Sequence, residues 1–214
     1  MNWNYLVIEG NIGAGKTSLA TLLSQKLSTR LVLEQFADNP FLPEFYRNPD
    51  KYAFSLELSF VAERYQQLKD VLSQPDLFRP KVIADYYLLK SLIFARVNLP
   101  EIEFSLFEKL FRIVYDSLPK PDAMIFLHSD VDRLRQNIRK RGREYEQGIE
   151  AAYLENIGQS YVDALKLIDD IPVLLVDATG LDFVERPAEL GRILDLLSVH
   201  YPNGLNYVKL THNQ

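Results

Sequence analysis

The sequence predicts an α/β fold, a five-stranded parallel sheet flanked by helices, in one domain over residues 1–214. Three observations predict it. Five apolar runs, Tyr5–Ile8, Leu31–Glu34, Lys81–Asp85, Ala123–His128 and Ile171–Asp177, alternate with stretches of helical periodicity. Within the runs apolar residues follow one another without a polar alternation, as in strands buried on both faces of a parallel sheet. Between the first run and the first helical stretch stands Gly10-Asn11-Ile12-Gly13-Ala14-Gly15-Lys16-Thr17, which fits G-x-x-x-x-G-K-[ST] in its strand–loop–helix setting. No linker rich in Gly, Ser or Pro divides the chain.

Composition narrows the function. With 214 residues, 47% hydrophobic and 25% charged, the chain has the balance of a globular protein with a full core. It has no cysteine, so there is neither a disulfide framework nor a thiolate metal site. The first residues lack a basic segment followed by an apolar one, and the first apolar run is too short to span a membrane. No membrane partner and a cytoplasmic location are expected. The net charge of −5, with no long basic run outside one arginine-rich patch, argues against a nucleic acid polymer as partner. His128 and His200 are isolated and the third histidine lies in the tail, so no metal site built of protein ligands is expected.

In chain order, the loop comes first. Its glycines let backbone N–H groups face phosphate oxygens without a Cβ in the way, and the helix starting near Gly15 adds its positive end. Asn11, Ile12, Gly13, Ala14, Gly15, Lys16, Thr17 and Ser18 are the candidate ATP-binding residues, with Lys16 reaching the β/γ-phosphates and Thr17 holding Mg²⁺. Asp38-Asn39-Pro40 marks a turn, Phe41–Tyr46 one or two helical turns, and Asp50–Leu72 a long helix with apolar residues at helical spacing. Helices follow over Tyr87–Val97 and from Leu99-Pro100 to about Leu118. Another begins at Asp130, with Ser129 or Asp130 as its cap, and the last two run over Glu150–Asp169 and Pro187–Ser198. The tail, about 200–214, is polar and expected to be loosely held.

Ligands of such sheets bind beyond the carboxyl ends of the strands. The loop, Glu34 and Asp85 all follow such ends and should converge on one cleft. Glu34 is either an acceptor of a hydroxyl proton near the γ-phosphate or a capping or salt-bridging glutamate. Asp85 is either a holder of Mg²⁺ or an N-cap for the helix near Tyr87. The basic patch Arg135–Arg143 is either a lid over about 139–149, bracketed by Gly142 and Gly148, or a solvated helix face. Its arginines suit bidentate phosphate binding. Glu57 and Arg64 lie seven residues apart, on one helix face to within about 20°. They face either the cleft or solvent. Asp177-Ala178-Thr179-Gly180 reads D-x-x-G, but it follows the last strand with no N-K-x-D after it, so it is taken as a turn.

These motifs together resemble the deoxynucleoside kinase family, in its bacterial deoxyadenosine/deoxyguanosine kinase branch. The resemblance runs over nearly the whole chain: the Gly10–Thr17 loop; Glu34 followed by Asp38-Asn39-Pro40-Phe41 and Phe45-Tyr46-x-x-Pro49; Phe54 through Arg64; and Arg141-Gly142-Arg143-x-x-Glu146-Gln147-Gly148-Ile149 followed by Tyr153-Leu154. It implies Glu34 as general base on the 5′-hydroxyl, Tyr46 and Glu146 on the deoxyribose 3′-hydroxyl, and Arg141 and Arg143 on the transferring phosphate. Arg64 is implied near the base or the 5′-end, Glu57 in the base pocket, and Asp182-Phe183 at the adenine of ATP. A homodimer through the long helices after strands two and three is implied as well. The chain departs from the family pattern in having Asp85-Tyr86-Tyr87 for acid-Arg-Ser, Glu57 for a glutamine, Lys90 or Ser91 near a base-pocket acid, and Asn137 for the first lid arginine. Glu57 suits an exocyclic amine, as on adenine or cytosine, or is protonated in a buried site.

The expected activity is Mg²⁺-dependent transfer of the γ-phosphate of ATP to the 5′-hydroxyl of a deoxynucleoside, leaning to deoxyadenosine or another purine, in deoxyribonucleotide salvage. The alternatives are a nucleoside monophosphate kinase of the thymidylate-kinase type and a nucleotide-binding regulatory protein without turnover.

Overall fold

The computed structural model describes residues 3–35, 39–74 and 76–210. Asp38, part of the segment that follows Glu34, lies outside the described residues, as does His212. The strands are β1 (Tyr5–Gly10), β2 (Arg30–Val32), β3 (Val82–Ala84), β4 (Ala123–His128), β5 (Pro172–Asp177) and β6 (Gly204–Val208). All pair in parallel, in the order β2-β3-β1-β4-β5-β6. Helices α1 (Lys16–Leu27), α2 (Phe41–Arg47), α3 (Pro49–Ser73), α4 (Leu89–Asn98), α5 (Glu101–Tyr115), α6 (Val131–Arg141), α7 (Ala151–Leu165) and α8 (Pro187–Leu196) connect them.

The strands sort their side chains by alternation. In β1, Tyr5 and Val7 enter the core shared with α2, α3, α4, α5 and α7, while Leu6 and Ile8 enter the core shared with α1, α6 and α8. Two apolar faces on one sheet are why these strands read as unbroken apolar runs. The strand neighbouring β1 is β3 on one side and β4 on the other, so the chain reverses its direction of winding there. The glycine-rich loop follows β1 at this switch point, where open α/β sheets leave a crevice.

Residues 204–208, expected within a loose polar tail, instead form β6, so the sheet has six strands and not five. As an edge strand β6 is only half covered. Leu205 packs on the core, Tyr207 faces solvent, and the Asn206 side chain donates to the carbonyls of Pro202 (2.9 Å) and Gly204 (2.8 Å). Such a strand carries no continuous apolar run to mark it. At α6 the cap is Asp130, whose carboxylate accepts from the Arg133 N–H at 2.7 Å.

The loop is held from outside. Gly13 has φ +82°, and a Cβ there would lie 2.7 Å from the Leu134 carbonyl oxygen of α6. Gly191, inside α8, would place a Cβ in open space. Gly13→Ala is therefore expected to destabilise the fold by about 2 kcal/mol or more. Gly191→Ala is expected to stabilise it by about 0.5–1 kcal/mol. Denaturant unfolding of both variants measures the contrast.

Candidate active site

The three strand ends meet through one carboxylate. Asp85, immediately after β3, accepts from the Thr17 hydroxyl at 2.5 Å and from the Glu34 backbone N–H at 2.7 Å. It makes no cap to α4, which begins at Leu89 without a side-chain cap. Asp85 thus fixes the first turn of α1 against the chain leaving β2. Lys16 reaches across the loop and donates to the Asn11 carbonyl at 2.9 Å. Burial lowers its ammonium to about 8, with Lys90 adding repulsion against the attraction of Glu9, Glu34 and Asp85.

Glu34 sits in a clamp. One carboxylate oxygen accepts from Arg64 Nε (2.8 Å) and Nη2 (2.6 Å), and the other from Lys90 Nζ (2.6 Å). Arg64 also donates to the Ser91 hydroxyl at 2.6 Å and lies over the Phe60 ring at 4.4 Å. Burial opposes the charge on Glu34, but Lys90 and then Arg64 outweigh it and hold the carboxyl well below the usual carboxylate range. The group is ionised throughout the neutral range.

Behind the clamp lies Glu9 of β1, buried, accepting from the Tyr87 N–H (2.7 Å) and the Tyr161 hydroxyl (3.0 Å). It ties the central strand to the segment before α4 and to α7. Burial raises its carboxyl, against the pull of Lys90 and Lys16.

One cavity is lined by Ile12, Lys16, Thr17, Glu34, Tyr46, Glu57, Arg64, Asp85, Arg141, Arg143 and Glu146, so most of the residues singled out from sequence converge. Arg141, at the end of α6, and Arg143 both donate to the buried carboxylate of Glu146, Arg143 at 3.1 Å. Tyr46 of α2 stacks on Tyr145 at 5.8 Å between ring centroids. Glu57 and Arg64 both face inward, on the buried stripe of α3 that also carries Ala53, Leu56, Phe60, Val61 and Leu68. The Glu57 carboxylate accepts from the Asn98 amide at 2.7 Å, and burial pushes it up to about 7 against the pull of Arg64.

The remaining loop residues act through their backbone or behind it. Asn11 is buried and donates to the Leu154 carbonyl at 2.7 Å, fastening the loop to α7. Asn137 of α6 donates to the Gly13 carbonyl at 2.8 Å. Ser18 is exposed on the first turn of α1, and Ala14 is buried beneath the loop. Phe183, expected at the donor's adenine, is 7% exposed, with its ring edge against Gly15. Asp182 turns the chain beside it, accepting from the Glu185 N–H at 3.1 Å.

A sequence model of the deoxynucleoside kinase family matches residues 6–200. The chain belongs to the deoxynucleoside kinase family. It is 39% identical over 196 residues to a deoxyguanosine kinase of Bacillus subtilis, covering 88% of this chain and 93% of that protein. It is 28% identical over 210 residues to a deoxyadenosine kinase of Dictyostelium discoideum, covering 94% and 83%. Its fold is similar to a deoxyadenosine kinase of M. mycoides solved with bound dATP, with TM-score 0.79, 25% identity, and coverage of 91% of this chain and 99% of that one.

Within this deoxynucleoside kinase the departures from the family pattern acquire partners. Tyr86, standing where the pattern has an arginine, is fully buried and donates its hydroxyl to Gln67 at 2.6 Å. The second cation at Glu34 comes from Lys90 instead, the second residue of α4. Sequence reasoning placed Lys90 only beside a missing acid. A lysine inside the apolar stretch Leu88–Ala95 was the available signal, because a buried lysine requires a charged partner.

Lys90→Met leaves Glu34 with Arg64 alone. The variant is expected to lose about 3 kcal/mol of stability in urea unfolding. Because Lys90 favours the ionised carboxylate, its loss raises the Glu34 pKa, so the acid limb of the pH–rate profile is expected to move to higher pH.

Proposed function

We propose that the chain is an ATP- and Mg²⁺-dependent kinase that phosphorylates the 5′-hydroxyl of a purine deoxynucleoside, in cytoplasmic deoxyribonucleotide salvage. The observation that carries this reading is Glu34, clamped by Arg64 and Lys90, in one cavity with Lys16, Arg141 and Arg143. A hydroxyl acceptor must lose a proton; a nucleoside monophosphate acceptor is already ionised and needs no such group. The relatives' names, deoxyguanosine and deoxyadenosine kinase, support a purine nucleoside.

The roles follow from placement. The 5′-oxygen forms its bond to the γ-phosphorus as the bond from that phosphorus to the β,γ-bridging oxygen breaks, and ADP leaves. Glu34 takes the hydroxyl proton. A carboxylate held so far down is a weak base, which suits a loose transfer in which the proton leaves late. Lys16, Arg141 and Arg143 face the charge on the moving phosphoryl group. Ile12, Gly13, Ala14 and Gly15 offer backbone N–H groups to the donor phosphates, and Ser18 extends that row into α1. Asn11 holds the loop, and Asp182-Phe183, with the Phe183 ring edge against Gly15, take the adenine side of ATP.

Thr17 and Asp85 fit a Mg²⁺ ion: their oxygens lie 2.5 Å apart beside the loop. Mg²⁺ uses one or two protein oxygens along with phosphates and water, and no group of three His, Cys, Asp or Glu able to hold a metal occurs among the described residues. When bound, Mg²⁺ supplies neutralising charge at the β- and γ-phosphate oxygens. Tyr46 and Glu146 take the 3′-hydroxyl as donor and acceptor, and crowding at that edge disfavours a 2′-hydroxyl. The segment of about 139–149, with Arg141, Arg143 and Glu146, serves as a lid that excludes water.

Helix α5 leaves Ile102, Leu106, Leu110 and Ile113 exposed along one face. Burying this stripe against a second copy supports the homodimer. No helix among the described residues is long and apolar enough to cross a membrane.

Two measurements check this reading. Glu34→Gln is expected to lower kcat with a deoxynucleoside by about 10²–10⁴-fold; near-normal turnover contradicts the proton-acceptor role. Ile102→Asp combined with Ile113→Asp is expected to give a monomer by sedimentation, and an unchanged mass contradicts the α5 interface.

A further inference from the structure

The inner end of the cavity holds a carboxylate with one oxygen uncommitted. Glu57 is 1% exposed. Its Oε1 accepts from Asn98 at 2.7 Å, while its buried Oε2 has no hydrogen-bond partner among the described residues. The cavity walls around it include Leu56, Phe60 and Phe94, a slot suited to a flat ring. A buried, unpaired carboxylate oxygen is costly unless a ligand donor meets it.

Base chemistry distinguishes the candidates. An ionised carboxylate offers two adjacent acceptors and no donor. Among the common bases, guanine alone presents two adjacent donors on its pairing edge, N1–H and the 2-amino group. Adenine and cytosine set an amino donor beside a bare ring nitrogen, whose lone pair would face the second carboxylate oxygen. Thymine has one N–H between two carbonyls. The remaining guanine oxygen, O6, needs a donor. Arg64 supplies one on the same cavity wall: of its five N–H groups, three are engaged with Glu34 and Ser91.

We propose that Glu57 makes guanine the preferred base, its carboxylate accepting from N1–H and the 2-amino group while Asn98 orients it. The proposal rests on the purine deoxynucleoside kinase reading and narrows it. A pH dependence follows. Glu57 faces Arg64 on its own helix, Lys90 and Asn98 on α4, Glu34 beyond β2, and Tyr153 on α7. Its carboxyl, lifted to about 7 by burial, is protonated below that value and ionised above it. Protonated, it is donor and acceptor like a glutamine amide, and it matches adenine. Preference for guanine over adenine is therefore expected to rise with pH.

The test is kcat/KM with deoxyguanosine, deoxyadenosine and 2′-deoxyinosine, for the full chain and for Glu57→Gln, with Mg–ATP at about pH 6 and about pH 8. The wild type is expected to favour deoxyguanosine. It should also use it better than 2′-deoxyinosine, which lacks the 2-amino group, by about tenfold or more. Glu57→Gln is expected to lower the deoxyguanosine-to-deoxyadenosine ratio by about tenfold to a hundredfold and to abolish its change with pH. A wild type that prefers deoxyadenosine, an equal rate with 2′-deoxyinosine, or an unchanged ratio in Glu57→Gln overturns the proposal. If Glu57→Gln does not fold, the wild-type comparison with 2′-deoxyinosine decides alone. Transfer without guanine preference overturns this inference only; no transfer to any deoxynucleoside overturns the kinase reading beneath it.

Discussion

The buried ion cluster Glu34–Arg64–Lys90 is the constraint around which the rest of the site is arranged. Its members come from three elements: the chain leaving β2, helix α3 and helix α4. A lone charge at this depth is strongly disfavoured, so each side chain is tolerated only when the others are in place. Docking of α3 and α4 on the sheet and placement of the Glu34 carboxylate are therefore one event. Asp85 joins this cluster to the phosphate loop through Thr17 and the Glu34 backbone, which sets the distance between the acceptor side and the donor side of the cavity.

The mouth of the cavity is organised around a second carboxylate. Glu146 accepts from both Arg141 and Arg143, so the proposed sugar ligand and the proposed phosphate ligands share one network. Helix α6, which leads into this region, is pinned to the loop by Asn137 on Gly13, and the loop is pinned to α7 by Asn11 on Leu154. Such an arrangement couples the ordering of the Arg141–Glu146 segment to the state of the loop. The lid function proposed for that segment draws on this coupling and not on the arginines' charge alone.

The sequence made the phosphate loop legible because its glycines, lysine and threonine are demanded by local backbone geometry, and Glu34 and Asp85 legible because they end apolar runs. Two central strands and their neighbours were legible for the same reason, as strands covered on both faces. Strand β6 was not, because an edge strand with Asn206 and exposed Tyr207 has no such run. The spacing of Glu57 and Arg64 fixed a common face but not its direction, since a seven-residue spacing is the same on a wet or a dry face. What decides it is the company of Ala53, Leu56, Phe60 and Leu68 on that stripe. Lys90 was missed because its partner is fifty-six residues away in the chain, and pairing across that separation is a property of helix docking. The Asp85 alternatives were separable only by its partners, Thr17 and the Glu34 N–H, rather than by its position.

The central claim is that a clamped carboxylate prepares a nucleoside hydroxyl to receive phosphate. Its most direct test is to follow the γ-phosphate of ATP onto a panel of deoxynucleosides, the matching ribonucleosides and the matching 5′-monophosphates. The account predicts 5′-monophosphate product from purine deoxynucleosides, less from their ribonucleoside counterparts, and no diphosphate from the monophosphates. Transfer confined to the 5′-monophosphates, or ATP binding with no phosphorylated acceptor at all, would contradict it.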